Sequence, residues 1–373
     1  MPGPHEKMNR RQFMQKSLYS VSAVGAVSAM AKNQSDHESK IRNYQPEMRY
    51  RRLGSSDIYL SVISLGGLIV EEAVHQYAID HGVNLVHISK SYKGGASIRS
   101  LGKVLKNKRD KVYIAVKDNF NDIDEILTLL GTDHIDFLMF NRHTPDEAAE
   151  ESIWEQAETL LEAGKVRYLA GITIHNHIKE TVNTALDKNF SLLMTVLNPP
   201  NLDLLQPELK KAYHNGTGVI AMKTMKGVEN DLQRNYLLKV LSHPEITSVV
   251  KGIGSFELFD QYLNAIQETY SYQQTFESKL LYSVRNDCLM CGACEKACPQ
   301  HIHISTVLRC FDYYSRQLND ESHARATFQE MAPAKRFYSN CDDCKMCERV
   351  CPQKINITSK LWQATQSFES VVV

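Results

Sequence analysis

Val112-Tyr113-Ile114-Ala115-Val116-Lys117 and Ile135-Asp136-Phe137-Leu138-Met139-Phe140-Asn141 are two β-rich runs. Between them Ile123, Ile126, Leu127 and Leu130 recur at helical spacing. Strand, helix, strand is the reading, because the outer runs are short and apolar on both faces while the inner stripe has a period near 3.6. Strands apolar on both faces belong to a parallel sheet covered by helices. The unit repeats on either side, with strands expected at residues 63–65, 83–89, 112–117, 135–141, 166–173, 192–198, 219–223 and 248–253. Helical stripes such as Ile153, Ala157, Leu160 and Leu161 lie between them, and Gly82, Gly164 and Gly216 stand at helix stops. Eight such units within residues 48–272 predict an α/β fold of the (β/α)8 barrel kind, whose sites lie at the C-terminal ends of the strands. An open doubly wound sheet is the other arrangement, but no G-x-G-x-x-G follows the first strand to mark a Rossmann dinucleotide site.

The chain has 373 residues, which predicts a smaller domain beside the barrel. Lys plus Arg and Asp plus Glu number 43 each, so no net field points to nucleic acid or an anionic membrane, and a small molecule or a protein is the expected partner. None of the nine cysteines precedes Cys288. That asymmetry sets apart a C-terminal module at residues 280–373.

Within it the spacing Cys288-x-x-Cys291-x-x-Cys294-x-x-x-Cys298-Pro299 recurs as Cys341-x-x-Cys344-x-x-Cys347-x-x-x-Cys351-Pro352. Structural zinc sets usually come as separated C-x-x-C pairs, and four disulfides would not need one spacing twice. The motif resembles that of bacterial ferredoxins carrying two 4Fe-4S clusters, in which the fourth Cys of each run ligates the other cluster. The resemblance implies Cys288, Cys291, Cys294 and Cys351 on one cluster and Cys341, Cys344, Cys347 and Cys298 on the other. Val307, Leu308, Phe311, Tyr314 and Leu318 keep helical spacing between the runs, so the module is expected to be mainly helical, with Cys310 as a buried apolar residue.

At the other end, Asn9-Arg10-Arg11-Gln12-Phe13 precedes a small-residue run from Ser17 to Met30, and Ala29-Met30-Ala31 offers an A-x-A cleavage site. This resembles a twin-arginine signal peptide at residues 1–31, implying export to the periplasm of a protein folded with its clusters; an uncleaved membrane anchor is the other outcome. No other stretch approaches the ~20 apolar residues of a membrane span, so no stable span is expected after cleavage. Residues 32–47 are polar and read as a linker.

Arg51-Arg52-Leu53-Gly54, Leu101-Gly102-Lys103-Val104-Leu105, Gly164-Lys165-Val166-Arg167-Tyr168 and Gly218-Val219-Ile220-Ala221-Met222-Lys223, with the strand at 112–117, resemble the aldo-keto reductase family in the correct order. The family reduces carbonyls with NADP(H) through an Asp-Tyr-Lys-His tetrad at the barrel mouth. Tyr92 and Lys117 match its Tyr and Lys. The Asp position holds His87 and the His position holds Asn141, with His143 two residues on. A free phenol has a pKa near ~10 and needs a cation beside it to exchange protons at neutral pH, a role the resemblance gives to Lys117. His87 and His143 are further candidate proton carriers, His87 being expected to titrate near neutrality, and Asn141 a hydrogen-bond partner for a carbonyl. At the cofactor positions Thr173-Ile174, Met194 and Gly254 replace the family's polar residues, which leaves Thr173, Asn198, Lys223, Lys251 and Ser255 as candidate contacts.

The combination predicts an iron–sulfur oxidoreductase acting on a small carbonyl or alcohol, with electrons relayed through the clusters to or from a redox partner. The alternative is an electron-transfer protein whose barrel has lost catalysis and serves as a docking scaffold.

Overall fold

The computed structural model describes residues 38–117, 121–142, 144–225, 228, 230–267, 288–317, 321–330 and 338–369. The expected signal segment, the first residues of the expected linker, His143, Leu318 and the boundary between the two domains lie outside the described residues.

Two short strands come first, β1 (Tyr50–Arg52) and β2 (Tyr59–Ser61), paired antiparallel with Arg51 opposite Leu60. Then come β3 (Ile63–Gly66), β4 (Leu85–Ile88), β5 (Tyr113–Lys117), β6 (Ile135–Arg142), β7 (Val166–Ile174), β8 (Leu192–Val196), β9 (Gly218–Met222) and β10 (Ser248–Lys251). These eight close into a barrel in the order β10-β3-β4-β5-β6-β7-β8-β9, every neighbouring pair parallel. All eight expected strands are present. Their residues are buried almost throughout because the interior is packed with side chains and helices cover the outside.

The hairpin was not expected. It caps the N-terminal end of the barrel, where Arg51 Nη1 donates to the carbonyls of His243 (3.0 Å) and Ile246 (2.6 Å). Its turn passes so close to the start of β9 that a Cβ on Gly54 would lie 2.2 Å from Gly216 O. Only glycine fits there, and its φ of 53° is one other residues rarely adopt.

Residues 38–47 differ from the expected linker. Ile41 is buried, Asn43 Nδ2 donates to Ile79 O (2.6 Å), and Arg42 reaches both Val112 O (2.9 Å) and the fully buried Asp136 (3.2 Å). The segment is held by side-chain hydrogen bonds and one charge pair, which a count of apolar residues does not register. Arg109 also pairs with Asp136, at 2.8 Å, so two guanidinium groups offset one carboxylate beneath the barrel.

The C-terminal domain is mainly helical. Its helices Ile304–Asp312, Glu321–Glu330 and Ile357–Glu369 enclose a second, smaller core of Ile304, Val307, Leu308, Phe328, Leu361 and Phe368. Cys310 is fully buried in that core, as expected.

Candidate active site and cysteine cavities

The C-terminal ends of the strands surround a cavity of about 220 Å³, lined among others by His87, Tyr92, Thr173, Lys223 and Lys251. His87 is the penultimate residue of β4, and Tyr92 follows on a short 3-10 turn, Tyr92–Gly95, with the two rings 6.2 Å apart edge to face. Lys117 ends β5 and sets its Nζ 5.2 Å from the centre of the Tyr92 ring. The barrel thus brings together the phenol and ammonium that the sequence singled out. Lys117 is buried and reaches Tyr92 without lining the cavity.

His87 corrects one expectation. Burial, and then the charge of Lys117, push its imidazole down to about 3, so it is neutral at physiological pH and does not titrate near neutrality. Its Nε2 is buried without a hydrogen-bond partner.

Thr173, on β7, is fully buried, and its Oγ1 also has no partner. Asn141 sits beside it in register on β6 but does not line the cavity. Asn198 and Ser255 are helix caps: Asn198 Oδ1 accepts from Asn201 N (3.2 Å), and Ser255 Oγ accepts from Leu258 N (3.2 Å). Neither lines the cavity.

Among the lining residues that sequence reasoning missed are His175 and Tyr313. His175 had a signal, since it lies two residues beyond Thr173 and so on the same face of the chain. Tyr313 had none, because it comes from the other domain. Lys223 Nζ donates to its hydroxyl at 2.5 Å and lies 4.5 Å from its ring centre, so the C-terminal domain roofs the barrel mouth.

In that domain the eight motif cysteines ring two cavities. Cys288, Cys291, Cys294 and Cys351 line one; Cys298, Cys341, Cys344 and Cys347 line the other. The fourth cysteine of each run therefore faces the first three of the other run. None of the nine cysteines forms a disulfide. Among the described residues no three or more His, Cys, Asp or Glu side chains close on a point as the ligands of a single ion would; tetrahedral zinc draws its sulfurs to about 4 Å from one another. Burial raises the thiols of Cys294 and Cys347, the latter to about 11, so the pockets need a cationic core to hold thiolates. Four sulfurs around a void fit an iron–sulfur cluster.

The first of these cavities is tied to the barrel. His177 Nε2 lies 2.7 Å from Glu295 Oε2, next to Cys294 in sequence, and Glu295 Oε1 accepts from Ser305 N at 2.7 Å. Burial by itself would raise the Glu295 carboxyl, but hydrogen bonds from His177, His303 and Ser305 outweigh it and hold the group at about 2. Asn176 bonds to Thr306, and Lys296 to Glu180. The chain turns so tightly here that a Cβ on Gly292 would lie 2.5 Å from His177 Nδ1.

A closed parallel barrel with a cavity at its mouth, joined to a helical unit with two four-thiol cavities, defines an iron–sulfur barrel protein. Residues 70–236 match the aldo/keto reductase family model and residues 284–355 the model of a 4Fe-4S dicluster domain, so the chain carries an aldo/keto reductase domain followed by a 4Fe-4S dicluster domain. Among curated proteins, the "Uncharacterized oxidoreductase YqkF" of Bacillus subtilis is 29% identical over 161 residues, 36% of this chain and 52% of that protein. "Aldo-keto reductase AMT2" of Alternaria alternata is 25% identical over 232 residues, 46% and 62% respectively. The matches thus span between half and two thirds of the relatives' own length. Among solved structures, an aldo-keto reductase of Pseudomonas aeruginosa superposes with a TM-score of 0.51 at 20% identity, covering 58% of this chain and 96% of that one. The aldo-keto reductase AKR11C1 of Bacillus halodurans in its holo form gives 0.50 at 20% identity, covering 63% and 96%. At that identity the likeness is one of fold. Among the described residues no helix is long and apolar enough to cross a membrane.

Proposed function

We propose that this chain is an iron–sulfur oxidoreductase that interconverts a small carbonyl compound and its alcohol at the barrel mouth, exchanging electrons through two 4Fe-4S clusters with a redox partner. One observation carries the reading. A single continuous helical segment lines both places: Ser305 and Leu308 face the first cysteine cavity, and Tyr313 faces the barrel cavity. Leu308 and Tyr313 are separated by about 8 Å along a helix axis at 1.5 Å per residue, a short distance for electron transfer. From Tyr313 to Gln317 the segment widens into a π-helix, a form often found at functional sites.

Two clusters would supply two one-electron carriers when bound, and a carbonyl becomes an alcohol by gaining two electrons and two protons, one proton at its oxygen and one at its carbon. Cys288, Cys291, Cys294 and Cys351 would hold the cluster nearer the barrel, and Cys298, Cys341, Cys344 and Cys347 the outer one. The rest falls to the barrel's own residues. Tyr92, with the Lys117 ammonium against its ring, moves a proton to or from the substrate oxygen. Neutral His87 is a second polar neighbour of the reacting group, and Met194, Met222 and the Tyr313 roof exclude water.

Two features count against a nicotinamide dinucleotide at the barrel mouth. The cavity formed by the described residues is below the ~300–1,000 Å³ of sites for drug-sized ligands, and Met194 stands at the position where the family resemblance places a Gln. The pair Arg10-Arg11 supports export by the twin-arginine route, where a folded, cluster-bearing protein would depend on a redox partner.

The test is anaerobic purification, iron and sulfide counts, and EPR of the reduced form before and after adding small aldehydes, ketones and alcohols. About eight irons per chain and a cluster signal that responds to one of these compounds are expected. Zinc or no metal would end the redox reading, and a cluster signal indifferent to every carbonyl and alcohol would favour the docking scaffold.

A further inference from the structure

Arg309 lies in the helix Ile304–Asp312 and is only 2% exposed. Its Nε and Nη2 are buried without a hydrogen-bond partner, and among the described residues no ion pair reaches it. Glu295 is bound to His177, His303 and Ser305 instead, and Asp312, three residues on, does not pair with it. Burying a guanidinium is costly unless an opposite charge lies near it. The position is not a loose one. Thr306, three residues before, bonds to Asn176 of the barrel, and Tyr313, four residues after, bonds to Lys223, so both flanks of Arg309 are pinned to the seam between the domains.

The neighbours on the helix show what opposite charge this can be. Ser305, one turn before Arg309, and Leu308, next to it in the chain, both line the cavity of Cys288, Cys291, Cys294 and Cys351. A long side chain on a helix reaches back over the preceding turn, which here carries Ser305. Four thiolates outweigh the positive charge of a 4Fe-4S core, and reduction adds a further negative charge. We infer that Arg309 is the counter-charge of the barrel-side cluster, a positioning residue that favours its reduced form and so holds an electron next to the barrel cavity. The inference rests on the cluster reading and adds to it what sets the potential of one of the two clusters.

An anionic substrate in the barrel cavity is the competing source of negative charge, so the test is run without any organic ligand. It is a redox titration of holoprotein prepared without oxygen, followed by EPR, with the two signals assigned through Cys351→Ser and Cys298→Ser. Arg309→Met should lower the midpoint potential of the barrel-side cluster by at least a tenfold change in its reduction equilibrium, about 59 mV for one electron, and move the outer cluster much less. Arg309→Lys should keep most of the parent value, which a role in packing alone would not require. Equal potentials in the parent and Arg309→Met overturn the inference, and so does a shift of the same size in both clusters. Should Arg309→Met lose the barrel-side iron, Arg309→Gln, neutral but still able to donate hydrogen bonds, is titrated in its place. Loss of that iron in both neutral variants and its retention in Arg309→Lys support the need for a charge; loss in all three overturns it. Each outcome is read against iron-replete parent protein, whereas a parent lacking iron would sink the cluster reading itself.

Discussion

Lys223 Nζ and the Tyr313 hydroxyl, 2.5 Å apart, join the end of a barrel strand to the domain that carries the cysteines. Replacing Tyr313 with Phe removes the bond but keeps the roof, and should cost about 1 kcal/mol of stability with little change in substrate-dependent cluster oxidation. Replacing it with Ala should slow that oxidation at least tenfold, as read by stopped-flow absorbance under nitrogen, because water enters and the reacting group loses its enclosure. Equal rates in the Ala variant and the parent would show that the roof has no part in the reaction.

The crossed arrangement of the two cysteine runs makes a sharper test. Cys351→Ser should cost the cluster held by Cys288, Cys291 and Cys294, and Cys298→Ser the one held by Cys341, Cys344 and Cys347. Each variant should retain about half the iron, and the two should lose different EPR signals. If Cys351→Ser instead removed the signal that Cys344→Ser removes, the pairing would be uncrossed.

Stability should fall on the acid side. His75 is fully buried, and burial lowers it to about 4, while His87 lies at about 3. Both are below the unfolded value near 6.5, so between roughly pH 4 and 6.5 the unfolded chain binds more protons and stability declines as pH falls. For His75 alone the loss from pH 7.5 to 5 is about 2 kcal/mol. Urea midpoints at the two pH values should therefore move closer together in a His75→Leu protein, and an unchanged gap would mean that His75 does not contribute.

His177 and the buried Glu295 form an ion pair between the domains. His177→Ala leaves the carboxylate with its bonds from Ser305 and His303 but without its nearer imidazole partner, and a loss of about 2 kcal/mol in denaturant titration of the holoprotein is expected. His177→Gln, which can still donate one hydrogen bond, should recover part of it.

Lysine in place of both Arg10 and Arg11 should leave the protein in the cytoplasm with its clusters, and the parent should be found outside with a new N-terminus after Ala31. Fractionation and N-terminal sequencing decide it.

Barrel strands were legible because runs such as Val112 to Lys117 are apolar on both faces, a pattern few other elements produce. The capping hairpin was not, since strands of three residues carry no measurable period and Arg51 acts through backbone carbonyls some 190 residues away. The same applies to Arg42 and Asn43, whose anchoring bonds are to distant partners. At the mouth, the identities of Tyr92 and Lys117 came through, but the protonation of His87 did not, because it depends on how completely the fold buries the ring. Tyr313 was hidden for a further reason: its place over the cavity is a property of how two domains dock, to which no local pattern corresponds.

The helix shared by the two cavities has a consequence for maturation. Ser305 and Leu308 stand against one void and Tyr313 against the other, so a chain that has not yet received its metal lacks more than a store of electrons. The wall that the inorganic core would brace is also the ceiling of the chamber to which the proposed reaction is assigned. On the proposed function, assembly of the cluster and competence of the barrel are thereby tied together.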